Sequence, residues 1–496
     1  MKLKNTLWVY VILVSVVFQL LFWNQQLGIN TLIFTLLIAL AQVFYRPVVL
    51  QSTSWRITLA GTFLAAMMVV LLHSGTSQFA WIASFALLSG FYAEPGLYFA
   101  PFSILSWIVH IFKTPYFLMA ESPEWKTDTS RIKIRANWHI WILPILLLSI
   151  FLSLYLMGNS ALSKWGVYVI ESIGDLINLF QVYFFSLISL SRIFFTIFSL
   201  LVVGSVLLWN KDHFYTRLQE KYPHFLVRKR QKQPEMPKGL HRGIDHFYLS
   251  AVYSMVLLNV LIFIVNCLDI SVVWLNPASL GVTEMKSFVH EGTYMLIFSI
   301  FMAMGVILYF FQGNLHFYKD RKGLLYPAVY VWLLQNAFLT LSVAVRNYHY
   351  INQYGLAYKR IGVISFLILT IIGLFTIYLK VARKRSVFHL LHLNSWAVYG
   401  MMLLLSIFNW DVLITRYNLT HPQKAPVDLS FLYNTVSDKN LLILKDYKDD
   451  LALGNDRWYG NKVELFERRM QRYPGWLSWN YADYRTKRGL WVEPVK

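Results

Sequence analysis

Residues 361–380 read IGVISFLILTIIGLFTIYLK. From Ile361 to Leu379 no side chain carries a charge. At about 1.5 Å per residue, a helix of that length crosses the roughly 30 Å hydrocarbon core of a bilayer. Lys359 and Arg360 precede the run, and Lys380, Arg383, Lys384 and Arg385 close it. A soluble helix would carry a polar stripe every 3.6 residues, and this one has none. The stretch therefore predicts a transmembrane helix.

Working outward from it, similar runs occupy 6–24, 27–45, 56–73, 78–98, 138–157, 184–209, 246–266, 291–312, 324–345 and 390–410. The fold class predicted is all-α: a polytopic transmembrane helix bundle of about eleven spans. Region 98–112, Tyr98 to Phe112, is apolar but short, and Pro95, Gly96 and Pro101 separate it from the run before. It predicts an interfacial or re-entrant piece. The first run, Leu7 to Trp23, is too long for a secretory h-region and no small-residue cleavage site follows, so it predicts the first membrane helix.

Composition agrees. Of 496 residues, 57% are hydrophobic and only 14% charged, against about 25% charged in a soluble domain. The net charge of +20 falls in loops between spans, so anionic lipid headgroups are the expected partner and nucleic acid is not. The single cysteine, Cys267, excludes an internal disulfide and a cysteine metal site. No cofactor is expected.

Basic residues also set an orientation. With the N-terminus inside, the loops around 46–55, 113–137, 210–245, 313–323 and 381–389, with the N-terminal segment and helix edges, collect 25 Lys and Arg, against five in the outer loops. The positive-inside rule then predicts N-in and C-out in a cell inner membrane. Residues 159–180 alternate apolar and polar faces, with Glu171 and Asp175 on the polar side; this predicts an outer interfacial helix.

Domain 1–410 is thus read as the membrane part, and 411–496 as a small α-helical extracytoplasmic tail. The tail holds 14 basic and 11 acidic residues, the mix of a water-exposed module. It is the expected place for a protein partner.

Four stretches resemble a known family. Asn409 to Asn418 (NWDVLITRYN) is similar to a D-x-x-I-x-R-Y-N signature. Arg346 to Arg360 (RNYHYINQYGLAYKR) resembles R-x-x-x-Y-x-x-x-Y-G-L-T-x-x-R, with Ala357 in place of the Thr. Phe288 to Ile297 and Asp428 to Leu432 match shorter segments, His290 standing where a basic residue is usual. The family is a group of bacterial membrane proteins known as domain of unknown function four-one-seven-three, with a sister numbered four-one-five-three. The resemblance implies a polytopic inner-membrane protein and no particular activity.

Candidate functional residues gather at the outer ends of the spans: Arg192, His290, Glu291, Arg346, Arg360 and Asp411. Arg192 would lie about 13 Å into span six, where an unpaired charge costs at least ~2.5–3.5 kcal/mol. It should seek Glu291, Asp411 or Asp175 as partner. Arg346, Tyr350, Tyr354 and Gly355 would form a binding or gating loop, or simply a helix hairpin turning at Gly355. Asp411, Arg416 and Asn418 would bind a ligand, or cap a helix and ion-pair the tail to the bundle. Glu94 predicts an interfacial turn. His389 and His392 sit i, i+3 on one helix face, but no third metal ligand is near in sequence.

No P-loop, nucleophile elbow, H-E-x-x-H or C-x-x-C motif occurs. Three functions fit: a non-enzymatic envelope scaffold or sensor, a transporter or lipid-handling protein, and an outer-face transferase acting on envelope glycan or lipid. The missing catalytic motifs favour the first.

Overall fold

The computed structural model describes residues 7–121, 189–209, 213–226, 241–275, 297–311, 323–447 except 422 and 424, and 456–491, with short pieces between 144 and 175. Among these the chain is helical, with no strand; one isolated bridge joins Phe225 to Arg385. The helices are α1 (Leu7–Phe22), α2 (Ile29–Tyr45), α3 (Thr53–Leu72), α4 (Gly75–Ala93), α5 (Ala100–Glu121), α6 (Leu190–Leu207) and α7 (Phe214–Glu220). They continue with α8 (His241–Asp269), α9 (Leu325–Tyr354), α10 (Tyr358–Ala382), α11 (Val387–Ser406), α12 (Trp410–Thr420), α13 (Leu441–Asp446), α14 (Asp456–Arg472) and α15 (Tyr481–Trp491).

Among the described residues, six helices are long and apolar enough to cross a membrane: Thr53–Leu72, Leu190–Leu207, His246–Leu275, Leu325–Tyr354, Tyr358–Ala382 and Val387–Ser406. Shorter apolar helices cover Val9–Phe22, Ile29–Tyr45 and Ile297–Phe310. Each falls on a run anticipated from hydropathy. Most of the 138–157 run and of the 159–180 segment lies outside the described residues, as do His290 and Glu291.

Region 98–112 is mostly helical. It belongs to the 22-residue helix α5, about 33 Å long at 1.5 Å per residue. The break at Pro95 and Gly96 is a turn, and α5 starts back along α4. The Ser103 hydroxyl bonds the Leu87 carbonyl at 2.8 Å. Gly90 makes this approach possible, since a Cβ there would meet the Ser103 carbonyl oxygen at 2.0 Å.

Two compact units divide the chain: 1–23 with 107–209, and 24–106 with 210–496. In the first, α1 packs on α6 through Phe18 and Phe195, whose rings are 5.7 Å apart. Gln19 joins Ser199 and Thr196 by hydrogen bonds of 3.4 and 3.3 Å.

In the second unit, α8, α9, α10 and the Ile297–Phe310 helix share an apolar core around Met255, Ile307, Val329, Trp332 and Ile377. One end of this unit is tied by polar groups at helix termini. Buried Glu94 accepts from the Tyr215 and Thr216 N–H groups at 3.3 and 2.7 Å, so the predicted interfacial turn caps the start of α7. Arg46 donates to the last carbonyls of α4, Tyr92 and Ala93. Lys380 is fully buried and donates to the Phe311 carbonyl at 2.7 Å.

The tail packs in this second unit as well. Leu432, Tyr433, Val436 and Leu444 bury against Ile361 of α10 and Ile414 of α12. The segment 478–480 lies on the α1–α2 connection: the Ile29 N–H reaches the Trp479 carbonyl at 3.0 Å, and a Cβ on Gly28 would come within 2.6 Å of that same oxygen.

Candidate functional site

The connection between α9 and α10 turns on Gly355, which has φ +79°. A side chain would be strained there, and a Cβ would also strike Asn418 Oδ1 at 2.4 Å. Asn418 explains the closeness. Its amide accepts from the Leu356 N–H at 2.6 Å and donates to the Leu356 carbonyl at 2.9 Å. Two stretches 62 residues apart, both singled out in the sequence, thus form one latch. Arg360 completes it by donating to the Tyr354 and Gly355 carbonyls. Its guanidinium lies 4.4 Å from the centre of the Tyr350 ring, a cation–π contact.

Arg346 belongs to a different group. It is buried and ion-paired to Asp269 of α8, whose other oxygen accepts from Ser342 at 2.6 Å. Asp269 was missed because it sits just past the 246–266 run, whereas the helix continues through a π-helical turn at Ile270–Leu275.

Arg192 is not where hydropathy placed it. The helix begins at Leu190 with Ser189 as its cap, so Arg192 is in the first turn and exposed. Its guanidinium lies 5.8 Å from the Trp23 ring centre. The apolar run 184–209 began several residues before this cap, and Glu291, one of the carboxylates expected to pair with Arg192, lies outside the described residues.

Asp411 and Arg416 lie on different faces of α12. Asn409 caps α12, its side chain accepting from the Val412 N–H at 3.2 Å. Asp411 is in the first turn and accepts from the hydroxyls of Tyr358 and Ser437. Arg416 is exposed. Helix geometry is the reason: residues five apart do not share a face.

Beside Asp411 is a cavity of about 780 Å³, within the usual size range for ligand sites. Its wall on the helix side comes from the α3–α4 turn, His73 to Thr76, with Tyr358, Trp410 and Asp411. The tail supplies the rest: Tyr433 to Lys439, then Lys462, Leu465 and Arg469 of α14.

A charge network supports the tail side. Asp483 accepts from Lys439, from Arg469 at 2.7 Å and from Asn480 at 2.7 Å. Asp438 accepts from Arg469 at 2.7 Å. Burial alone would raise the Asp483 pKa. The hydrogen bond from Arg469 and the charge of Lys439 outweigh burial and hold it well below the usual carboxylate range.

Two polar groups at the cavity are less satisfied. The His73 side chain is 9% exposed, and its Nε2 is buried without a hydrogen-bond partner. Burial and the charge of Lys439 push it down to about 4, so it is neutral at pH 7. Lys462 is buried and gives two hydrogen bonds, to the Leu432 and Val436 carbonyls at 2.9 and 2.8 Å. An ammonium has three donors. Burial pulls it down to about 8, against the pull of Asp438 and Asp411.

The histidine pair also gains a third member. His224 Nδ1 lies 3.1 Å from His389 Nδ1, and its Nε2 lies 3.0 Å from the Tyr98 hydroxyl. His392 stands within ring contact. Among the described residues no group of three or more His, Cys, Asp or Glu is arranged to hold a metal.

Long apolar helices with buried, internally satisfied polar groups at their ends define the class: an all-helical integral membrane protein. Residues 9–447 match the model of the family described as Domain of unknown function (DUF4153), and the chain belongs to that family. It is the sister family of the sequence analysis; the likeness to four-one-seven-three stays a resemblance. No curated protein and no solved structure matches the chain.

Proposed function

We propose that the protein is a non-enzymatic sensor of the cell envelope. Its tail covers a ligand cavity at the outer end of the helix bundle, and occupancy of the cavity sets how firmly the tail is held. The observation that carries this reading is the cavity of about 780 Å³ shared by helix ends and tail, with a buried His73 Nε2 left unpartnered beside it. A concave space of this size with a few unsatisfied polar groups on its wall is the form a ligand site takes.

The topology in this reading has about eleven spans in a bacterial inner membrane, with the N-terminus inside and the tail outside. The distribution of basic residues supports that sidedness. Anionic headgroups neutralise the cytoplasmic loops, and the tail is the surface offered to a protein partner.

Native mass spectrometry of the full chain, released from membranes, tests the proposal. The wild type should retain a small molecule, and Thr76→Trp, which fills the cavity, should lose it. Removing that molecule should also speed amide exchange in 456–491. An adduct unchanged in Thr76→Trp sinks the cavity, and unchanged exchange sinks the sensing.

One observation favours a transferase as the second reading. Asp411 lines the cavity and is held by two hydroxyls rather than by a cation, so its carboxylate could take a proton from one of them. The mark of that reading is a chemically altered ligand on the wild type that is unaltered on Asp411→Asn.

A further inference from the structure

Three helices begin at the cavity. Gly75 and Thr76 open α4, Tyr358 opens α10, and Trp410 and Asp411 open α12. The first N–H groups of a helix have no carbonyl within it, and each helix start behaves as roughly half a positive charge. One long helix, α3, ends there instead, at His73, and offsets about half a charge; the short π-helical turn Phe431–Thr435 also ends there, and Lys462 takes the Leu432 and Val436 carbonyls.

The side chains around this point are nearly neutral as a set. Lys439 and Arg469 are matched by Asp438 and Asp483. The charge of Lys462 is balanced by that of Asp411, whose oxygens are taken by Tyr358 and Ser437. The surplus is therefore positive, from the helix starts. Lys462 has a donor left over, and the imidazole of His73 is nearly buried with Nε2 unpartnered. Trp410 and Tyr433 add ring surface to the same walls.

We infer that the cavity binds a phosphate ester, with Lys462, His73 and the first N–H groups of α4 and α12 around its oxygens. A phosphate offers several acceptor oxygens in different directions, which suits donors arriving from separate helices and from the tail. This inference rests on the cavity reading above and names its ligand class. The phosphate belongs either to a lipid headgroup or to a soluble molecule.

The test uses the full chain in dodecyl maltoside, a detergent without phosphate. Inorganic phosphate and dihexanoyl phosphatidylglycerol are titrated separately, with chloride at equal ionic strength as control, and thermal stability is read. At least one of the two should stabilise the wild type beyond chloride. Lys462→Met should weaken binding about tenfold or more, the loss of one charged hydrogen bond, and Lys462→Arg should retain most of it. Binding should also weaken as pH rises through 8, where Lys462 loses its proton.

Stabilisation by the lipid alone assigns a headgroup, and by inorganic phosphate alone a soluble ester; either supports the inference. No effect beyond chloride overturns it, as does unchanged binding in a folded Lys462→Met. Should phosphate fail while Thr76→Trp still expels a native molecule, the ligand class is wrong and the cavity stands.

Discussion

Two groups of buried charge in this protein are built differently. Between α8 and α9 a single carboxylate, Asp269, meets a single guanidinium, Arg346, with Ser342 on the free oxygen. Under the tail, Asp438, Asp483, Lys439 and Arg469 share partners, with Gln26 and Asn480 on the same atoms. The pair lies in helices long and apolar enough for a bilayer, where water does not stand in for a lost partner. The network lies beside a cavity and has redundant contacts. One arrangement pins two helices; the other keeps the tail docked while one contact changes.

The contrast is broken most severely at the pair. Asp269→Ala leaves Arg346 buried without its carboxylate and should cost roughly 3–5 kcal/mol, read from unfolding in mixed micelles of rising SDS content. A loss under about 1 kcal/mol would mean the guanidinium reaches water or headgroups instead. Asp483→Asn should cost less, about 2–3 kcal/mol, because Asp438 still faces both cations. Its effect should be confined to faster amide exchange in the tail.

pH sharpens the same comparison. His73 has its pKa lowered by burial to about 4, against about 6.5 unfolded. A base with a depressed folded pKa favours the folded state fully above the unfolded value. That stability is lost as pH falls from about 6.5 toward 4. Between pH 7 and 5 the tail side should lose about 2 kcal/mol. Measured stability in His73→Gln should have a flatter slope over this window. Asp483 adds its own loss only at lower pH, below the usual carboxylate range. The smallest effect belongs to the surface pair Arg468 and Glu464, 69% and 56% exposed. Glu464→Gln should change stability by less than about 0.5 kcal/mol.

These differences also separate what could be read from the chain alone. Hydropathy over 361–380 and its counterparts was enough for an all-helical membrane protein, since a bilayer demands about 20 apolar residues wherever the backbone crosses. Gly355 and Asn418 were legible as important residues, but their contact was not. Helix starts were less legible: the apolar run 184–209 passes through Ser189, where the helix begins, because a cap depends on local backbone geometry and not on composition.

The cavity was least legible of all. Asp411 and Tyr433 are close to one another in sequence, yet His73 and Lys462 are hundreds of residues apart. None of His73, Lys439, Lys462 or Asp483 sits in a motif, and three of them lie in a tail that reads only as mixed charge. Length and apolarity are local properties that a bilayer enforces run by run, so the sequence by itself determined the class of fold. Which charges meet is set by the return of a tail some 400 residues later, and only the tertiary structure decided that.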